Sequence, residues 1–113
     1  MKEIKAIIRP SKLLEVTEEL HQIEGLPGVT ISEIKGFGKS RARNAADKIV
    51  YEMVEFIPRI QLEVVVHDEM VDDVVNVIQK YAHTGNTGDG KIFVSTVDEI
   101  IKIRTNERGK EAI

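Results

Sequence analysis

The spacing of apolar residues changes period along this chain, from two to about 3.6 and back, and then repeats the change. Within Glu3-Ile4-Lys5-Ala6-Ile7-Ile8-Arg9, the residues Ile4, Ala6 and Ile8 share one face, the pattern of a half-buried strand. Pro10 ends it and Ser11 is placed to cap a helix. Leu13, Val16, Leu20 and Ile23 then recur at helical spacing, with Glu15, Glu18 and Glu19 on the wet side. Glu24-Gly25-Leu26-Pro27-Gly28 is a turn. Val29 to Phe37 reads as a second strand and Phe56 to Val66 as a long third one, whose Pro58 puts its start at an edge or bulge. Asp68 is placed to cap a second helix with Val71, Val74, Val75 and Ile78 as its buried stripe. Ile92-Phe93-Val94 is a strand. After Asp98-Glu99, Ile101 and Ile103 resume alternation, which sends Lys102 and Arg104 out of one face together. Residues 106–111 read as a loose polar tail. The order strand, helix, strand, strand, helix, strand specifies an α+β, ferredoxin-like βαββαβ fold: an antiparallel sheet, two helices on one face, and a long loop between strands 2 and 3. Ile7, Ile57 and Val65 fall on the uncovered face, an apolar strip suited to subunit packing.

Composition narrows the function classes. A chain of 113 residues supports one domain with one modest core, so a ligand site shared between subunits is expected. Hydrophobic residues at 42% and charged residues at 31% fit a globular protein rather than a disordered one. No apolar run approaches the ~20 residues of a membrane span, and the first strand begins without a signal-like segment. The expectation is a cytoplasmic protein with no membrane insertion. The absence of cysteine excludes disulfide and thiolate chemistry. A net charge of −3 argues against bulk nucleic-acid binding. RNA-recognition domains share this topology, but Phe37, Phe56 and Phe93 form no recognisable base-stacking string. His21, His67 and His83 lack metal-ligand spacing, and Ser11, Ser32, Ser40 and Ser95 stand in unrelated contexts. Neither a catalytic nor a metal centre is expected.

The stretch with chemical promise is Thr84-Gly85-Asn86-Thr87-Gly88-Asp89-Gly90-Lys91. Glycines let backbone N–H groups approach a ligand closely, and successive N–H groups form a concave anion site, with Lys91 adding charge at the rim. Gly85 to Lys91 formally fits the start of a P-loop, but Ile92 stands where a magnesium-binding hydroxyl is needed. The context is also reversed, since a helix precedes the loop and a strand comes after it. That excludes the Walker motif and leaves backbone capture of phosphate. Taken alone, the loop is equally well a glycine-rich turn without a ligand. Taken alone, Lys102 and Arg104 read better as solvated charges on an open sheet face; with Lys91 opening the same C-terminal segment, they would add cations to a polyphosphate site. The basic run Lys39, Arg41, Arg43 and Lys48 reads as an excursion between strands, too long for a tight hairpin.

The sequence resembles the PII signal-transduction (nitrogen regulatory) proteins over nearly its whole length. The likeness is carried by Ile7-Ile8-Arg9-Pro10, Lys35-Gly36-Phe37-Gly38, Phe56-Ile57-Pro58-Arg59, and above all Gly88-Asp89-Gly90-Lys91-Ile92-Phe93-Val94. Ile103-Arg104-Thr105 and Glu111-Ala112-Ile113 add to it. The resemblance implies a homotrimer that binds ATP or ADP in clefts between subunits, without catalysis. It makes residues of about 84–91 the B-loop around the phosphates, with Thr84, Gly88, Asp89, Gly90 and Lys91 in the binding set. Lys91, Lys102 and Arg104 take the places of phosphate-contacting cations, Lys102 standing where arginine is usual. The C-terminal segment covers about 102–113. Gly36, Gly38 and Lys39 form the base of the T-loop. Thr30, Glu63 and Val65 fall near the nucleoside side of the cleft, and Ile7 joins the nucleotide-binding set. The T-loop, about 39–55, docks into a transporter or metabolic enzyme; Ser40, Arg41, Arg43, Lys48 and Tyr51 are its candidate partner-binding residues.

Departures from the family pattern bear on the effector. Members that sense 2-oxoglutarate carry a glutamine where Ser40 stands, and it coordinates magnesium and the keto acid. Arg59 replaces a lysine that assists that ligand, keeping the charge in a different geometry. Magnesium and 2-oxoglutarate binding therefore stay open. The alternative is a divergent regulator of another transport system, such as inorganic carbon or metal efflux, responding to nucleotide and a different small anion. Tyr51 lies one position off the usual modification tyrosine, so no uridylylation is expected.

Overall fold

The computed structural model describes residues 1–37 and 56–113. Strands β1 (Lys2–Ile8), β2 (Thr30–Gly36), β3 (Ile57–Val66) and β4 (Lys91–Thr96) form one sheet in the order β2-β3-β1-β4. Every neighbouring pair is antiparallel. Helix α1 (Leu13–His21) joins β1 to β2, and helix α2 (Val71–Ala82) joins β3 to β4. This is the expected ferredoxin-like arrangement.

Alternation decides which face is covered. Ile4, Ala6 and Ile8 of β1 and Ile60, Leu62, Val64 and Val66 of β3 are buried together with Val16 and Leu20 of α1 and Val74, Ile78 and Ala82 of α2. The two central strands therefore bury one apolar face under both helices. Their other face carries Lys5, Ile7, Gln61, Glu63 and Val65, all partly exposed. Pro58 pairs with Lys35 of β2, whereas the β1 ladder ends at Ile8↔Ile60. The start of β3 is thus an edge, which is where a residue without an N–H is tolerated. Phe37 and Phe56 meet edge to face at 5.8 Å, where the described chain leaves β2 and re-enters β3.

Four local expectations need correction. Ser11 does not cap α1: Pro10–Lys12 form a 3-10 turn that runs straight into the helix, with no side-chain cap. Asp68 does not cap α2 either. It lies in the 3-10 turn Asp68–Met70, and its carboxylate accepts a 2.8 Å hydrogen bond from the Met1 ammonium. Backbone turns meet the first orphan N–H groups of each helix, so no side-chain cap is required. The third correction concerns residues 101–104, which are not a strand. Ile101 makes a single bridge to Arg108, and between them the chain turns, with Lys102 N–H donating to Glu107 C=O at 2.9 Å and Asn106 N–H to Lys102 C=O at 2.7 Å. The fourth is the tail. Gly109–Ala112 form a 3-10 turn, Gly109 N–H donates to Ile100 C=O at 3.0 Å, and Ala112 is buried.

Candidate functional site

The glycine loop leaves α2 at His83, whose backbone is extended, and enters β4 at Lys91. One carboxylate organises it. Asp89 Oδ2 accepts from the N–H groups of Thr84 at 2.8 Å and Gly85 at 2.9 Å, and its Oδ1 accepts from the Thr84 hydroxyl. The Thr84 hydroxyl oxygen in turn accepts from Asn86 N–H at 3.1 Å. The Thr84 hydroxyl and the N–H groups of Thr84 and Gly85, with the Arg9 guanidinium beyond them, hold the Asp89 carboxyl well below the usual carboxylate range. The loop's first donors are therefore spent on its own carboxylate. Among the described residues, the N–H groups of Thr87 and Gly88 have no such partner.

Arg9 ties this loop to the end of β1. Its Nε donates to Asp89 Oδ1 at 3.1 Å and its Nη2 to Thr87 C=O at 2.8 Å. Arg59, from the edge of β3, reaches the same place: a Cβ built on Gly88 would lie 3.2 Å from an Nη2 of each arginine. Gly90 is the tightest point. Its φ is +96°, and a Cβ there would stand 1.7 Å from the Ile7 carbonyl oxygen. Only glycine lets the loop lie against β1 in this way.

Beside the loop, Ile7, Ile8, Ile78, Ala82, Asp89 and Lys91 help line a cleft of about 290 Å³. The register Ile7↔Lys91 sets the two side chains next to each other on the uncovered face of the sheet. Thr30, Glu63 and Val65 share that face. Glu63 pairs with Thr30 and Lys5, one step along from the row that holds Gln61, Ile7 and Lys91. Gln61 Nε2 donates to Glu63 Oε1 at 2.5 Å, which fixes that carboxylate on the open face. Gly36 ends β2 opposite Ile57, and a Cβ there would meet nothing within 4 Å. Gly38, Lys39, Ser40, Arg41, Arg43, Lys48 and Tyr51 lie outside the described residues.

Lys102 and Arg104 are not where the sequence put them. The turn at 102–107 replaces the strand that would have paired their side chains, and Lys102 instead lies 4.0 Å from Glu107. Nor do they meet Lys91. β4 starts beside Ile7 and ends beside Lys2, so its length, about 17 Å, separates Lys91 from the C-terminal segment. That segment stays at the far end: Val97 N–H donates to Met1 C=O, and the Lys110 charge helps the N-terminal ammonium to lower the Asp68 pKa. Within one chain, the glycine loop and the C-terminal cations occupy opposite ends of the sheet.

Arg9 is the residue that reading the sequence for function passed over. It stands at the end of β1 beside Pro10, apart by 80 positions from the carboxylate it serves. A cation closing an apolar strand was the available signal, and nothing in its neighbourhood named a partner.

Residues 1–107 match the protein family described as Nitrogen regulatory protein P-II. The chain is similar to proteins of that name from Azospirillum brasilense, at 46% identity, and Rhodospirillum rubrum, at 47%. A third, from Rhizobium meliloti, is also 47% identical. In each case the likeness covers 100% of both chains.

Proposed function

The chain belongs to the nitrogen regulatory protein P-II family, and from that premise we propose that it is a non-enzymatic sensor of ATP and ADP. The carrying observation is the glycine loop tied to β1, which sets Lys91 beside Ile7 on the uncovered sheet face and, among the described residues, leaves the N–H groups of Thr87 and Gly88 without a protein partner. Backbone donors plus one cation suit a phosphate chain. The separation of Lys91 from Lys102 and Arg104 supports a shared site: a second subunit supplies the C-terminal cations that one chain holds at its other end. A homotrimer with three such clefts accounts for this, and the uncovered sheet face, with Ile7, Val65, Ile57 and Phe93, gives it an interior. Gly36, Gly38 and Lys39 would bring the start of the T-loop, about 39–55, to the same phosphates. Nucleotide then biases that loop toward or away from a transporter or metabolic enzyme of nitrogen metabolism. The basic residues Arg41, Arg43 and Lys48 suit an acidic partner surface in the cytoplasm or at a transporter's cytoplasmic face. No helix among the described residues is long and apolar enough to cross a membrane.

Titration calorimetry with ATP and ADP tests this reading. Lys91→Ala is expected to weaken ATP at least about tenfold with the oligomer intact, because a charge-assisted phosphate contact is lost. Unchanged affinity removes Lys91 from the site. Ser40 favours a second reading, a regulator of another transport system that answers to nucleotide and an anion other than 2-oxoglutarate. Clear 2-oxoglutarate binding in the presence of magnesium and ATP rules that reading out.

A further inference from the structure

We propose that Arg9 is the latch of the glycine loop, a positioning residue that sets which backbone N–H groups the loop offers to a ligand. This rests on the reading that the loop holds phosphates. The guanidinium makes two directed bonds into the loop, one to the Asp89 carboxylate and one to the Thr87 carbonyl. Its side chain is mostly covered, at 26% exposure, as is that of Asp89 at 23%. The bond to Thr87 turns that carbonyl inward, toward β1. A peptide plane has its N–H opposite its C=O, so the N–H of the next residue, Gly88, is turned away from β1. The bond to Asp89 holds the carboxylate that collects the Thr84 and Gly85 N–H groups. One side chain thus fixes both the donors the loop withholds and the donor it presents. It also neutralises the one carboxylate that would otherwise repel a phosphate there.

A second feature makes arginine the fitting residue. The two accepting groups lie on different parts of the loop, and a planar fork can serve both at once, whereas an ammonium on a flexible stem serves one well. Arg59 reaches the same glycine but donates, among the described residues, to its neighbour Pro58 C=O at 2.9 Å rather than to the loop. The latch is therefore assigned to Arg9 and not to the arginine pair.

The test uses the full chain with Arg9→Gln and Arg9→Lys. The first readout is amide hydrogen exchange at Thr84 and Gly85 without nucleotide. Arg9→Gln is expected to speed it at least about tenfold, and Arg9→Lys less, since it keeps one bond and the charge. The second readout is calorimetry with ATP and with adenosine. Arg9→Gln should weaken ATP by a similar factor and leave adenosine unchanged, and in an Asp89→Asn background, where the bond to Thr87 C=O remains, its effect should be smaller than in the parent. Unchanged exchange at Thr84 and Gly85 overturns the latch, as does a full, additive ATP loss in that background, which would place Arg9 on the ligand itself. Arg9→Lys decides by the same exchange readout if Arg9→Gln fails to fold. If the unaltered protein binds no ATP, the nucleotide reading falls, while exchange still decides whether Arg9 holds the loop.

Discussion

The glycine loop at 84–91 and the C-terminal turn at 102–107 both carry cations, but they are held in opposite ways. The loop is fixed by residues distant in sequence: Arg9 on β1 grips Asp89 and Thr87, and Gly90 lies against the Ile7 carbonyl. The turn is fixed by itself. Its bonds run from Lys102 to Glu107, from Asn106 to Lys102 and from the Thr105 hydroxyl to Glu107. A loop tied to the end of a central strand moves only when that strand end yields. A turn tied to itself can be carried as a unit against another surface, and its tip residue Ile103 is 99% exposed. The difference suits a site with one preformed wall and one wall supplied by a neighbour.

The sharpest way to break the comparison is Gly90→Ala. The new methyl would fall 1.7 Å from the Ile7 carbonyl oxygen at a backbone φ of +96°, so β1 and β4 must separate or the loop must rebuild. A loss of more than about 3 kcal/mol is expected, read as a lowered urea midpoint. A variant as stable as the parent would mean that the loop does not lie against β1 in solution.

Acid should reach the loop later than it reaches ordinary carboxylates. Asp89 has a lowered pKa in the folded chain, so the order it provides is complete above its unfolded value, near ~3.9, and fades as the pH falls through the folded one. Amide shifts of Thr84 and Gly85 should therefore hold steady from about pH 8 to about pH 5 and move only in stronger acid. Movement near pH 4 would show a carboxylate without these donors.

How much of this was legible in the sequence depends on the same contrast. The strand and helix periods around Ile4, Ala6, Ile8, Leu62 and Val64 carried the topology, because burial on one sheet face repeats every second residue. Glycines at 85, 88 and 90 located the loop. What holds the loop was hidden, since no periodicity links Arg9 to Asp89. Alternation misled at Ile101 and Ile103: four residues are too few to separate a strand from a turn, and the deciding bonds come from Asn106 and Glu107. The caps assigned to Ser11 and Asp68 failed for a related reason. Each was the right residue type, but a 3-10 turn had already engaged the backbone it would have served.

The smallest effect is expected at Asn106, whose φ of +62° puts it in the left-handed region like the loop glycines. Here the position is open: the side chain accepts from Arg108 Nη2 at a long 3.3 Å, and the backbone bonds of the turn do not need a Cβ. Asparagine tolerates this conformation and glycine adopts it freely, so Asn106→Gly should shift stability by no more than about 0.5 kcal/mol. Measured beside Gly90→Ala in the same urea series, the pair sets a replaceable left-handed residue against an irreplaceable one. A loss at Asn106 as large as that at Gly90 would mean that the turn supports the sheet rather than riding on it, and the contrast between the two regions would fail.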